Sequence, residues 1–204
     1  TALNIRFKGG TSLDASGKRG AVNLMTALIE EGAGDLDSQA FAAARDGMAA
    51  EFGFSSDSDG VSVSARFLTE TSAQATGLLH LALTQPRFDA QAIERVRGQV
   101  LQNIASSAKD PDTIAGDLLS QAAFGDHPYG SSGDGTADSV QALTRDDLLR
   151  RHVIMAIMCQ GYVSYESVEL SHLINFKQYF RAELELLADI QEQGLVKLNG
   201  VSLE

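Results

Sequence analysis

Four features of the sequence carry residue types that could do chemistry. Gly10-Thr11-Ser12-Leu13-Asp14-Ala15-Ser16-Gly17-Lys18 ends in the Gly-Lys pair of a phosphate loop, where backbone N–H groups curl round an anion and a lysine neutralises it. Such a loop needs a glycine where Ser12 stands and a Ser or Thr where Arg19 stands, so the run reads as a strand-to-helix turn. Asp57-Ser58-Asp59-Gly60 begins like a calcium loop, but no third ligand pair and no closing glutamate follow at the required offset. It reads as a polar hairpin tip. His80, His127, His152 and His172 never lie three or four apart, so no helix face presents two imidazoles to one metal. Cys159 sits in an apolar stretch and reads as a core residue rather than a nucleophile. Spacing yields no Ser-His-Asp or Cys-His arrangement.

Composition narrows the classes further. A formal charge of −11 repels phosphate backbones and argues against nucleic-acid binding. With 44% hydrophobic and 21% charged residues, 204 residues suffice for one packed domain, or one domain with a small appendage. The longest apolar run, Val153 to Cys159, stops at Gln160-Gly161, far short of a membrane span. A single cysteine excludes an internal disulfide, a four-cysteine zinc site and an iron–sulfur cluster, and leaves the compartment open. The chain starts inside an apolar alternation and ends in what reads as an unfinished strand, so a fragment is expected.

These features need elements to position them. Ala2, Asn4, Arg6 and Lys8 alternate with Leu3, Ile5 and Phe7, the period of a half-buried strand. Val22, Leu24, Met25, Leu28 and Ile29 predict a helix from about Lys18 to Glu31, stopped by Gly32. Ser38 is the expected N-cap of an alanine-rich helix to about Glu51. Phe52 to Phe54 and Val61 to Leu68 predict a hairpin around the Asp-Gly turn. Helices are expected at about Glu70 to Thr84, Ala90 to Ala108 and Asp112 to Phe124, the last two separated at Asp110-Pro111. A glycine- and serine-rich loop from His127 to Gly135 precedes a helix beginning near Thr144. Phe176, Phe180, Leu184, Leu187 and Ile190 predict a helix from about Asn175 to Gln193, and Asn199-Gly200 a closing hairpin. The order predicts an α+β fold: a mainly antiparallel sheet with helices packed on one face, then a small helical, winged-helix-like tail.

Phe7-Lys8-Gly9-Gly10-Thr11-Ser12-Leu13-Asp14, Gly17-Lys18-Arg19-Gly20-Ala21, Glu30-Glu31-Gly32-Ala33, Ala92-Ile93-Glu94-Arg95, Phe124-Gly125-Asp126-His127-Pro128-Tyr129-Gly130 and Leu143-Thr144-Arg145-Asp146-Asp147-Leu148 recur in this order in one family. On these segments the first three quarters of the chain resemble the insulinase-type metallopeptidases, which include pitrilysin and the mitochondrial processing peptidase. The resemblance implies an insulinase-type peptidase-like domain over residues 1–149, of which only the first half-domain is present. In active members the helix after Gly20 carries His-x-x-Glu-His, whose histidines hold zinc and whose glutamate activates its water. A further glutamate lies on the helix that carries Ala92 to Arg95. The corresponding places read Asn23, Thr26, Ala27 and Asn103. The resemblance therefore implies a chain without catalytic residues, metal or cofactor, and no peptidase activity. It implies a non-catalytic subunit or fragment that closes the substrate chamber of a zinc-bearing insulinase-type subunit, meeting peptide only through that heterodimer. The bacterial periplasm is favoured for this part.

His152 to Leu198 reads differently. Cys159-Gln160-Gly161-Tyr162-Val163-Ser164-Tyr165, and Phe176-Lys177-Gln178-Tyr179-Phe180 through Gly194-Leu195-Val196, are similar to the C-terminal domain of oxygen-independent coproporphyrinogen III oxidase. That family's radical chemistry needs a cluster held by several cysteines, so only an accessory domain over residues 150–204, of cytoplasmic type, is implied. The alternative function is a protein-binding winged-helix-like accessory domain in a fused or mis-joined chain. Its junction falls within one helix near Leu148 to His152.

Overall fold

The computed structural model describes residues 1–203, apart from the side chains at 158–160 and 171. The core placement expected for Cys159 lies outside the described residues. β1 (Ala2–Lys8) runs into a 3-10 turn at Thr11–Leu13 and then α1 (Ala21–Leu28). A short hairpin of β2 (Gly32–Ala33) and β3 (Leu36–Asp37) leads to α2 (Ser38–Gly47), β4 (Glu51–Ser56) and β5 (Gly60–Arg66). α3 (Ser72–Thr84), α4 (Ala90–Ser107) and α5 (Pro111–Phe124) follow, and after a 3-10 turn at Pro128–Gly130 come α6 (Ala137–Gln141) and α7 (Arg145–Gln160). The tail comprises β6 (Val163–Ser164), α8 (Tyr165–His172), α9 (Phe176–Tyr179), α10 (Arg181–Glu192) and β7 (Ser202–Leu203).

Alternation builds the main sheet. Its order is β1-β5-β4, antiparallel throughout, so the first strand lies beside the expected hairpin. Ile5 sits opposite Val63 and Phe7 opposite Val61, while Phe54 flanks Val63 from the other side. Ile5, Phe7, Phe54 and Val63 share one face and pack with Ala75 and Leu79 of α3, whereas Ala2, Asn4, Arg6 and Lys8 are exposed. The result is the expected α+β architecture with a helical tail.

Three further clusters of buried side chains occur among the described residues: one gathers Ile29, Ala33, Phe41, Leu78 and Ala82, and the other two involve the longer helices. In one, Leu24, Met25 and Leu28 of α1 meet Ile93, Val96 and Val100 of α4, closed by Val140, Leu143 and Leu148. In the other, Leu149, Val153 and Ala156 of α7 meet Val163, Tyr165, Val168, Phe176, Phe180 and Leu203 of the tail. Full burial of each large apolar side chain contributes roughly 1.5–3 kcal/mol, so both clusters matter to stability. α5 is the exception. Asp110 caps it by accepting from the Thr113 N–H at 3.1 Å and Pro111 opens it, but none of its residues is buried and Leu119 is 72% exposed.

Several expected boundaries are corrected. α1 starts at Ala21 rather than Lys18, because Gly17 and Gly20 take positive φ of 75° and 95° and turn the chain just before it. It ends at Leu28, where the chain tightens into turns toward β2. Asp37, not Ser38, caps α2: its Oδ1 accepts from the Ala40 N–H at 2.8 Å, while the Ser38 hydroxyl donates to the Glu31 carbonyl at 2.8 Å. α2 stops at Gly47, and Ala49 turns left-handed at φ 48°. The helix expected over 175–193 is two helices, because the chain bends at Phe180 as its ring enters the tail core. The closing hairpin shrinks to one bridge, Leu198 with Leu203, since residues 202–203 pair instead with β6. The β2–β3 hairpin, α6, β6 and α8 are additions to the expected list.

Gly20 and Gly77 should respond oppositely to alanine. At Gly20 an added Cβ would meet the Asp134 carbonyl oxygen at 2.6 Å and Val140 Cγ2 at 2.9 Å, on a backbone at positive φ. Gly20→Ala is expected to cost on the order of 2 kcal/mol. At Gly77, inside α3, a Cβ meets nothing within 4 Å. Gly77→Ala is expected to stabilise by about 0.5–1 kcal/mol. Urea unfolding midpoints of the two variants check both signs.

Candidate functional site

The turn that resembles a phosphate loop is engaged with the chain itself. The N–H groups of Gly9, Thr11 and Ser12 donate to the carbonyls of Asp59, Asp57 and Ser58 at 2.9, 2.8 and 3.0 Å. A Cβ on Gly10 would lie 2.1 Å from the Asp57 carbonyl oxygen, so the close approach admits only glycine. The carboxylates of the calcium-like run are engaged as well. Asp57 accepts from the N–H groups of Asp59 and Gly60 and pairs with Arg6 at 2.7 Å; the Arg6 bond holds this carboxyl below the usual range. Asp59 accepts from the Tyr129 hydroxyl. Both runs therefore form a structural clasp.

That clasp leads into α1. Asp14, after the 3-10 turn, accepts from the N–H groups of Gly20 at 2.9 Å and Val22 at 3.2 Å, supplying the helix start with acceptors that Gly20 cannot provide. Burial pushes the Asp14 carboxyl up, opposed by those two N–H groups and by the charges of Arg151 and Arg19. Arg151 of α7 is itself buried and donates to the carbonyls of Gly9 and Gly10 at 3.1 Å each. Lys18 pairs with Asp147 at 2.9 Å. The start of α1 is thus fixed from the clasp on one side and from α7 on the other.

α1 carries three of the four positions singled out in the sequence. Asn23 is half-buried, and its amide donates to the Asp134 carboxylate. Thr26 is 3% exposed, with its hydroxyl lacking a hydrogen-bond partner among the described residues. Ala27 faces solvent. Asn103 is exposed on α4, the helix packed against α1 through Val96 and Val100. Two amides, one hydroxyl and one methyl supply neither imidazole nor carboxylate, and so do not fit a zinc ion. The Asp134 carboxylate beside α1 accepts from the Asn23 amide. Among the described residues, no three His, Cys, Asp or Glu side chains gather in a way that could hold a metal.

The loop over this region is held by Arg19. Its guanidinium donates to the carbonyls of Pro128 at 2.6 Å, Ser131 at 3.0 Å and Ser132 at 3.2 Å, and to Thr11. His127 lies exposed in the same loop, its ring against Phe124 and Tyr129, and His80 is exposed on α3. His152 and His172 behave otherwise: both are buried, and their ring centroids lie 5.6 Å apart. Sequence spacing conceals this pair, because its members sit on different helices. No helix of the described residues is long and apolar enough to cross a membrane.

Comparison with known proteins finds two family matches in the chain. Residues 1–137 match the insulinase family, peptidase family M16, and residues 143–204 match the HemN C-terminal domain. A protein of Helicobacter pylori called non-peptidase homolog YmxG is 27% identical over 146 residues, covering 72% of this chain and 34% of that protein. The oxygen-independent coproporphyrinogen III oxidase of Escherichia coli is 28% identical over 147 residues, covering 65% of this chain and 32% of the enzyme. The chain thus spans about a third of the length of these curated relatives. A crystal structure described as a peptidase M16 inactive domain, from Pseudomonas fluorescens, superposes with a TM-score of 0.70 at 28% identity, covering 74% of this chain and 37% of that one.

Arg19 generates a direct expectation. Hydrogen bonds from a charged donor contribute about 1.5–3 kcal/mol each, and lysine cannot reproduce the guanidinium fork. Arg19→Ala should raise hydrogen exchange across residues 128–135 by about tenfold or more, and Arg19→Lys should not restore it. Exchange in β5 should stay unchanged, as read by mass spectrometry.

Proposed function

The chain belongs to the insulinase family, peptidase family M16, and on that premise we propose that it is a non-catalytic unit of the family. Its task is to act as the structural and substrate-chamber partner of a zinc-bearing subunit, and it meets peptide only through that pair. The reading rests on the correspondence in which Asn23, Thr26, Ala27 and Asn103 stand at the family's motif positions. Alanine has no donor atom, and neutral amides and a hydroxyl do not replace two imidazoles and a carboxylate for zinc. A scaffold without its ligands can still present a surface, because Leu24, Met25 and Leu28 keep α1 anchored against α4. The names of two similar proteins, a non-peptidase homolog and an inactive domain, agree with this reading.

A second reading rests on the match of residues 143–204, which have their own cluster of buried side chains. In it the tail, residues 150–204, is a protein-binding accessory domain, and the chain is a fusion or mis-join of two families near residues 148–152. Sequencing the source DNA across codons 140–160 tests it: an uninterrupted natural reading frame removes the mis-join.

Purified without chelator, the protein is expected to carry well under one zinc per chain and to show no chelator-sensitive proteolysis; one tightly held zinc with such activity would sink the proposal. The quadruple variant Asn23→His, Thr26→Glu, Ala27→His, Asn103→Glu should gain zinc affinity by isothermal titration. If it folds and gains none, the four positions do not converge and the correspondence must be abandoned.

A further inference from the structure

Two histidines have no part in that reading. His152 on α7 and His172 at the end of α8 are 2% and 1% exposed, their rings 5.6 Å apart at 70°. Phe88 closes the cluster, edge-on to His152 at 5.9 Å and stacked on His172 at 5.6 Å. His152 Nε2 meets the Leu83 carbonyl at 3.1 Å. The other three ring nitrogens are buried without a hydrogen-bond partner among the described residues. Buried polar atoms are nearly always paired, so three together mark a place tuned for something other than stability.

The cluster sits where two parts of the chain meet. Leu83 and Phe88 lie within the residues of the insulinase match, and both His152 and His172 within those of the HemN match. From α3, His80 lines a cavity of about 220 Å³ together with His152, Tyr162 and Val163, which gives the buried ring a route to solvent. From α7, Arg145 donates to the His172 carbonyl at 3.4 Å and to the Phe88 carbonyl at 3.2 Å, and adds positive charge beside the pair. The neighbouring charges are directed elsewhere: Arg151 to the carbonyls of Gly9 and Gly10, Arg87 to Asp89, and Glu169 of α8 to the Phe176 N–H. Burial depresses His152 to about 4; burial, then the charges of His152 and Arg145, depress His172 to about 3. No carboxylate is among the groups acting on either ring.

We propose that the His152–Phe88–His172 cluster is an acid-sensitive latch: it docks α8 and the segments after it against the α3–α4 region at neutral pH and releases them on acidification. In the released state each imidazole returns toward its ordinary value of 6.5. Docking is therefore fully stable above about 6.5 and weakens as pH falls from there toward the docked values. Between pH 7.5 and 5.0 the opening equilibrium should rise about 30-fold for each imidazole and about 10³-fold for the pair.

Hydrogen exchange of the whole chain at the two pH values, corrected for intrinsic rates, reads this opening. The expected result is lost protection across residues 163–180 at pH 5.0, with the β1-β5-β4 sheet still protected. The double variant His152→Gln, His172→Phe keeps an acceptor-facing amide and the stacked ring but cannot titrate, so its tail should lose most of the pH dependence. Loss of protection in sheet and tail together, equal protection at both pH values, or a wild-type pH profile in the folded double variant would each overturn the latch. Should that variant fail to fold, NMR titration of the native chain decides instead: either buried imidazole titrating near 6.5 while the tail stays docked refutes it.

Discussion

The structure depends on one helix being buried from two sides. Leu148 of α7 packs among Leu24, Phe88 and Val140, while Leu149, Val153 and Ala156 pack among the side chains of the tail. Consecutive residues on a helix point about 100° apart, so a single turn can belong to two cores only when polar residues between them also find partners. Arg151 does so through the carbonyls of Gly9 and Gly10, and His152 through that of Leu83. α7 therefore bears on the clasp at the start of the chain, on the helix carrying Asn23, Thr26 and Ala27, and on the placement of the tail.

What could be read from the sequence follows from what is local. The period-two pattern at Ala2 to Lys8 and the Asp-Gly turn give the sheet, because alternation and turn chemistry act within a few residues. The Asp110-Pro111 break likewise gives the start of α5. Boundaries set by distant packing were harder. Phe180 carries the apolar spacing of one long helix, yet the depth of its burial bends the chain there. Gly20 looks like a helix residue until Asp134 and Val140 are seen to crowd it. β6 has only two residues, and its partner lies 38 positions further on, so periodicity has nothing to detect.

The candidate site shows the same division. The identities of Asn23, Thr26, Ala27 and Asn103 are legible as chemistry, since residue type alone decides whether a donor exists. Their surroundings are not. The bond from Asn23 to Asp134 and the grip of Arg19 on the carbonyls of residues 128, 131 and 132 join segments more than a hundred positions apart. The pairing of His152 with His172 is equally invisible in the sequence, because it arises from how α8 folds back onto α7.

The order of the main sheet has a colloidal consequence. β5 is paired on both sides, whereas β1 and β4 each present one side whose backbone groups have no strand partner among the described residues. Unpaired edges are templates for another strand, and natural sheets blunt them with charge. Here Arg6 and Lys8 stud β1 and Glu51 begins β4, within a chain of net charge −11. The net charge of −11 adds a mutual repulsion between copies, screened over about 8 Å at physiological ionic strength. Raising the salt leaves the edges as they are and shortens the reach of that repulsion.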